Sequence, residues 1–280
     1  MDSSTNKLYH EDDFDSRQHL EDYVSDNPDR ISHEDSLIFP IENLIKTFTE
    51  GALLQDTEHR HHLSIHLQPD SHIKGDVLID ISLGSMIYHL FAASDFFNHI
   101  IVLKSRDSCI IELKRWVDSR TGAFDWSHVT KRHVDTEEDS EQLQDKEGKV
   151  RSALQHVVKC NLEKEDMMDP IILPPADCII SAIFLDVISR DQNDYMRYLR
   201  KFSRLLKPGG HFILIGALEM TYYTVGKHKY HAFSYDEDFA RKALVGEGFI
   251  IDRCNVKKRT DVNDHVDYKS MIFIAAHKEK

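Results

Sequence analysis

A doubly wound α/β fold, with a mostly parallel sheet, an antiparallel C-terminal hairpin and a helical N-terminal segment, is predicted by three observations. From Gly75 onward, short runs rich in Val, Ile and Leu alternate with helix-period segments. The first run ends in a carboxylate and a small-residue turn, Asp80-Ile-Ser-Leu-Gly-Ser85, and the last two runs have only a polar turn between them. Alternation requires crossovers, hence a parallel sheet with helices on both faces; a bare turn joins antiparallel neighbours.

In order along the chain, residues 14–23 read as a short amphipathic helix, and Leu37, Ile41, Leu44, Ile45 and Phe48 recur at helical spacing in 36–48. These two helices form an N-terminal lid over residues 1–50. Residues 51–74 are polar, lack sustained periodicity, and carry His59, His61, His62, His66 and His72; they read as a loop or insertion. His62 and His66 would share a helical face, but metal selection needs a fixed coordination set, so a solvated loop and no metal site are expected. The main domain then spans 75–280: strand 77–81, helix 86–93, strand 99–103 and helix 108–117. A charged surface excursion covers 135–149, and 150–158 continues helical spacing into Lys159 and Cys160. Residues 177–185 read as a strand, 195–206 as a helix stopped by Lys207-Pro-Gly-Gly210, and 211–217 as a strand. A helix over 236–245 closes at Gly246 and Gly248, and strands 249–256 and 269–277 form the final hairpin.

With 280 residues, 41% of them hydrophobic, one large domain with a substantial core is the expectation. The formal net charge of −13 argues against nucleic acid or an anionic membrane as partner, since phosphates are held by clustered Lys and Arg; a cationic or neutral small molecule fits better. Cys109, Cys160, Cys178 and Cys254 are scattered without a C-x-x-C pair, so neither a disulfide framework nor a cysteine zinc site is indicated. The acid-rich start has no signal-peptide pattern, and no stretch reaches the roughly 18 apolar residues of a membrane span. A cytoplasmic, monomeric protein is the expectation.

A Gly-containing turn after the first strand lets backbone N–H groups meet a ligand at a helix N-terminus, and Gly84 is the one glycine of that turn. Further blocks are Gly122-Ala-Phe-Asp-Trp-Ser127, Leu173-Pro-Pro-Ala-Asp-Cys178, 181–187, and 205–226, which begins Leu205-Leu-Lys-Pro-Gly-Gly210 and includes Tyr222-Tyr223. With 75–90 these blocks are spread along the chain from Gly75 to Gly226. In these blocks the sequence resembles class I S-adenosylmethionine-dependent methyltransferases of the Rossmann-like type, and more closely the nicotinamide, phenylethanolamine and indolethylamine N-methyltransferase family.

The resemblance implies S-adenosylmethionine as cofactor and places Tyr23, Asp80, Ser82, Gly84, Tyr88, Lys104, Asn161 and Leu162 at cofactor-contacting positions. The family's turn is Gly-Ser-Gly-Pro, where this chain has Ser82, Leu83, Gly84 and Ser85. The family's ribose-binding acid is replaced by Lys104, and its adenine-side acid by Asn161, followed by Leu162. A carboxylate accepts two hydrogen bonds from a ribose diol, whereas a protonated lysine only donates, and each buried partner lost costs about 1–3 kcal/mol. Asp107 is a substitute acid if the turn shifts.

On the acceptor side the resemblance implies a small amine substrate, with Asp186, Tyr223 and Glu219 as catalytic candidates. A carboxylate near the amine orients it and helps remove its proton. Gly216 follows the phenylethanolamine branch, where the nicotinamide branch has Asp. His19 and Val24 stand where members carry lid tyrosines, and His19 is expected to be exposed. Without the resemblance, Asp80 reads as a turn cap, Tyr88 and Tyr223 as packed aromatics, Asp186 as a helix cap and Glu219 as a solvated acid. Two functions are therefore carried forward: an N-methyltransferase of small amines, and a catalytically weakened relative that keeps the fold as a binding or scaffold protein.

Overall fold

The computed structural model describes residues 8–9, 13–26, 34–53, 73–133, 140–260 and 263–279; the His-rich residues fall outside them. In chain order come α1 (Ser16–Tyr23), a π-helical turn (Glu34–Ile38) entering α2 (Phe39–Leu53), β1 (Gly75–Asp80), α3 (Tyr88–Ala93), β2 (Phe97–Lys104) and α4 (Asp107–Val117). There follow α5 (Ser127–Thr130), a 3-10 turn (Lys131–His133), α6 (Ser140–Ala153), β3 (Leu154–Lys159), β4 (Ala176–Ala182), α7 (Phe184–Ile188) and α8 (Gln192–Ser203). The remainder is β5 (Leu206–Leu218), β6 (Tyr222–Val225), β7 (His228–His231), α9 (Glu237–Gly246), β8 (Phe249–Lys258) and β9 (Ser270–Lys278).

The main sheet has seven strands in the order β3-β2-β1-β4-β5-β9-β8. Its first five strands are parallel, and β9 runs antiparallel to both β5 and β8, as the bare turn between the last apolar runs predicts. Leu78 and Ile79 of β1 are fully buried, the signature of a central strand covered on both faces. The chain leaves β1 towards β2 and β3, then returns on the other side with β4. That reversal opens a crevice outside the carboxyl ends of β1 and β4, where doubly wound folds bind ligands.

Several stretches depart from the sequence expectation; Phe184 and Leu185, expected to end a strand, instead begin α7. Residues 154–159 are a strand, not a helix: β3 pairs with β2 from Ile101↔His156 to Lys104↔Lys159. As an edge strand it leaves Gln155 and His156 exposed, so it lacks the continuous apolar run of its neighbours. The charged stretch before it becomes helical at Ser140, and α6 is fastened by Lys146 and Lys149 to Asp95. Lys207-Pro-Gly-Gly210 lies inside β5, absorbed by a register shift between Ala176↔Leu206 and Cys178↔His211. The β6–β7 hairpin, whose second strand is His228-Lys-Tyr-His231, carries little apolar alternation of its own and was not foreseen.

The N-terminal helix lies across the crevice. Asp15 caps α1 by accepting from the Gln18 N–H at 2.9 Å. On one side Arg17 pairs with Glu112 at 2.5 Å and the Ser108 hydroxyl donates to the Phe14 carbonyl at 3.2 Å. On the other, Asp22 accepts from the Gly226 N–H at 2.7 Å and the Tyr23 hydroxyl donates to the Thr224 carbonyl, also at 2.7 Å. The lid is thus tied to α4 and to the β6–β7 hairpin.

Candidate active site

At the tip of β1 the Asp80 carboxylate is completely buried and fully engaged. Its Oδ1 accepts from the Ser82 hydroxyl at 2.5 Å and bonds His89 Nε2 at 2.6 Å, while Oδ2 pairs with Lys104 Nζ at 3.3 Å. Lys104, 2% exposed, also donates to the Ser82 carbonyl at 2.7 Å. Ser82 in turn accepts from the Ala182 N–H at 3.1 Å, which couples the group to β4. Burial alone would raise the Asp80 pKa, but His89 and Lys104 outweigh it and carry the carboxyl down to about 2. Asp80, Ser82 and Lys104 therefore form one charged, hydrogen-bonded group, joined by His89, which the sequence did not single out.

The turn beyond it is covered by the lid. Gly84 has φ +59°, in the left-handed region that suits glycine, and an added Cβ would stand 2.8 Å from His19 Nδ1. The Ser16 and Ser85 hydroxyls are 2.6 Å apart. The expectation that His19 is exposed is overturned: it is 2% exposed, because Ser16, His19 and Leu20 share the inward face of α1. Its ring sits 5.3 Å from Phe14 and 5.0 Å from Tyr23. Burial lowers its pKa to about 4, with Asp22 raising it and Lys104 lowering it further.

Two hollows lie along this sheet edge. At the ends of β2 and β3 a wide opening of about 710 Å³ is lined by Ser105, Arg106, Asn161 and Leu162, with Arg190 and Arg197 among the residues on the far side. Asn161 is partly committed: its side-chain oxygen accepts from the Glu163 N–H at 3.0 Å. At the ends of β1, β4 and β5 a small hollow of about 60 Å³ is walled by His19, Tyr23, Leu83, Met86, Tyr88 and Tyr223, among others. Asp107, the alternative ribose acid, pairs with Lys159 at 2.7 Å.

Asp186 and Glu219, expected on the acceptor side, are not on the wall of that small hollow. Asp186 is wholly buried beneath it, and its Oδ1 accepts from the Ala217 N–H at 2.7 Å and from the Tyr235 hydroxyl at 3.0 Å. Burial pushes its pKa up to about 6, moderated by those two hydrogen bonds. Gly216 makes room for this arrangement, since a Cβ there would fall 2.2 Å from the Tyr235 oxygen. Glu219 is exposed, with φ +56°, and its N–H donates to the Tyr235 carbonyl at 2.8 Å. The structure thus brings Tyr23, Tyr88 and Tyr223 together, sets Asn161 and Leu162 at the wider opening, places Asp186 below and leaves Glu219 outside. Tyr235 and Gly216 form a contact that gives no local sequence signal.

Comparison with known proteins agrees with this architecture. Nicotinamide N-methyltransferase of Homo sapiens is 32% identical over 206 residues, covering 74% of this chain and 78% of its own length. Indolethylamine N-methyltransferase of Mus musculus is 27% identical over 269 residues, covering 96% and 94%. Phenylethanolamine N-methyltransferase of Mus musculus is 35% identical over 179 residues, covering 63% and 61%. Among solved structures, the N-methyltransferase NodS of Bradyrhizobium japonicum, in complex with S-adenosyl-L-homocysteine, shares the fold with a TM-score of 0.51 at 11% identity, over 95% of this chain and all of its own. The family model described as NNMT/PNMT/TEMT matches residues 59–279, and the chain belongs to that family.

Proposed function

We propose that the protein transfers a methyl group from S-adenosylmethionine to the nitrogen of a small amine. The observation that carries this reading is the pair of hollows along one edge of the sheet, a wide one at the ends of β2 and β3 and a small one walled by Tyr88 and Tyr223. Asn161 and Leu162 would lie along the nucleoside, and the Gly84 turn along the amino-acid end. Asp80 joins them once Lys104 moves off it. Bound there, S-adenosylmethionine supplies an activated methyl group on a sulfonium centre. The chain's own residues hold the acceptor nitrogen in line and exclude water, and the tied-down lid serves the second purpose.

A specific observation also favours a second reading, a binding or scaffold protein with a weakened donor site. The Lys104 ammonium occupies Asp80 and the Ser82 carbonyl with no ligand needed to satisfy them. Calorimetric titration with S-adenosylmethionine and S-adenosylhomocysteine separates the two. Heat of binding supports the enzyme, whereas no heat at millimolar ligand leaves only the scaffold. Lys104→Asp is expected to tighten donor binding by about tenfold or more, on the scale of one or two buried hydrogen bonds regained.

A reducing, cytoplasmic setting belongs to this reading and is supported by four free thiols. No described helix is long and apolar enough to cross a membrane. The net charge of −13 supports the absence of nucleic acid as partner. A monomer with a lid over 1–50, an insertion over 51–74 whose first residues, to Leu53, continue α2, and the catalytic domain over 75–280 completes the proposal.

A further inference from the structure

At the end of the sheet away from the crevice, two imidazoles stand side by side. His211 is level with Cys178, near the start of β4, whereas the crevice lies past that strand's end. His211 of β5 and His277 of β9 are directly opposite in the antiparallel ladder, so their side chains share one face, and their ring centres are 6.1 Å apart. Asp252 completes the group from β8, where the register shifts between Ile251 and Arg253 and leaves it at a bulge, a device that re-aims a side chain. Both Asp252 oxygens lie on His277 Nδ1, at 2.8 and 3.0 Å. With Nδ1–H donated to the carboxylate, a neutral imidazole carries its lone pair on Nε2, which is how a carboxylate prepares a histidine to ligate a metal. His211 is partly buried, and its Nδ1 has no hydrogen-bond partner among the described residues. Burial lowers its pKa, with Asp252 raising it and His277 lowering it further, so at pH 7 this ring too offers a lone pair.

We infer that His211 and His277 form a binding site for a divalent transition-metal ion of the zinc or copper class, with Asp252 as the positioning residue behind His277. Imidazole nitrogen suits these ions. With metal–nitrogen bonds of about 2.1 Å, two imidazoles on one tetrahedral ion have centres about 5 Å apart, so side-chain turns that close the pair by about 1 Å suffice. The Asp252 carboxylate offsets part of the ion's charge. Among the described residues no set of three or more His, Cys, Asp and Glu is placed to hold a metal, so the ion takes two protein ligands and completes its shell with water. The partial exposure of the His277 and Asp252 side chains, 34% and 32%, leaves room for that water. An ion held there ties β5 to β9 and stabilises the folded chain by mass action. The site does not depend on the methyl-transfer reading.

The test uses the full chain with His59, His61, His62, His66 and His72 replaced by Asn, which silences its other imidazole-rich stretch. Calorimetric titration with zinc chloride is expected to show a single ion bound per chain and a raised unfolding temperature, and magnesium chloride is expected to give neither. His211→Asn and His277→Asn should each weaken zinc about tenfold or more, and Asp252→Ala, which leaves both rings in place, should weaken it about tenfold. Unfolding temperatures measured without metal show which variants are folded, and the partly exposed His277 carries the test if His211→Asn does not fold. No heat at millimolar zinc, or unchanged zinc affinity in a folded His277→Asn protein, overturns the site. Unchanged affinity in Asp252→Ala overturns the role of Asp252. Titration with S-adenosylmethionine is a separate measurement, so its failure leaves this result untouched.

Discussion

The two ends of the crevice solve the same problem in opposite ways. At the β1–β2 end a buried carboxylate meets a buried ammonium: Asp80 is shared among Ser82, His89 and Lys104, all buried. At the β4–β5 end the wall is apolar, and the buried Asp186 has Oδ1 on the Ala217 N–H and the Tyr235 hydroxyl while its Oδ2 has no hydrogen-bond partner among the described residues. The lesson is that a buried polar group in the crevice is settled by whatever partner the fold brings within reach. Lys104 found the strand-end carboxylate, and Tyr235 found Asp186 through the space left at Gly216. The first solution engages both carboxylate oxygens; the second leaves one of them without a partner among the described residues.

The sharpest way to break this contrast is to remove the ammonium. Lys104→Met keeps most of the side-chain volume and leaves Asp80 ionised beside Ser82 and His89. Breaking a buried pair by deleting one partner costs about 3–5 kcal/mol, and denaturant unfolding should show a loss on that scale. A loss below about 1 kcal/mol would mean that the lysine is not holding Asp80, and the two ends would then differ far less than the contacts suggest.

A second, smaller contrast is in pH. His19 has its folded pKa lowered to about 4 by burial. Its contribution to stability is therefore full above the unfolded value near 6.5 and is lost as pH falls towards 4. Asp186 has its folded pKa raised to about 6, again by burial. It costs stability above that value, and the cost is relieved as pH falls towards 3.8. Between about pH 6 and 4 the two oppose each other, each with a slope of at most about 1.4 kcal/mol per pH unit. Asp186→Asn should steepen the loss of stability on acidification and His19→Phe should flatten it, as read from unfolding free energies at pH 4, 5, 6 and 7. Asp80, lowered to about 2, adds its own loss only below about pH 4.

The sheet was legible because its central strands bury both faces: Leu78-Ile79 and Ile179-Ile180 are unbroken apolar runs with full burial. The edges were less so, since β3 exposes half its residues and reads like the end of the preceding helix. In the site, the positions of Asp80, Gly84 and Tyr88 follow from the strand and turn that carry them. Their partners do not, because Lys104 is 24 residues from Asp80 and Tyr235 is 49 from Asp186. Sequence named Lys104 as a changed contact with a ligand; only the fold reveals that its ammonium turns inward. His19 was misjudged for a related reason, since one polar residue on a short helix shows its inward face only when the body beneath it is known.

The smallest expected effect concerns how firmly the lid closes the apolar end. The Tyr23 hydroxyl both donates to the Thr224 carbonyl at 2.7 Å and accepts from the Thr224 N–H at 3.2 Å, while its ring forms part of the hollow. Tyr23→Phe keeps the ring and removes both bonds, which should cost about 1 kcal/mol and leave the Asp22–Gly226 tie as the main link between α1 and the hairpin. Because the charged end does not depend on that hydroxyl, the loss should be local. Amide exchange in α1 and at Thr224 should quicken several-fold while β1 and β2 stay protected. If β1 and β2 lose protection together with α1, the lid and the Asp80 group form one cooperative unit, and the two ends of the crevice cannot be treated as separate solutions.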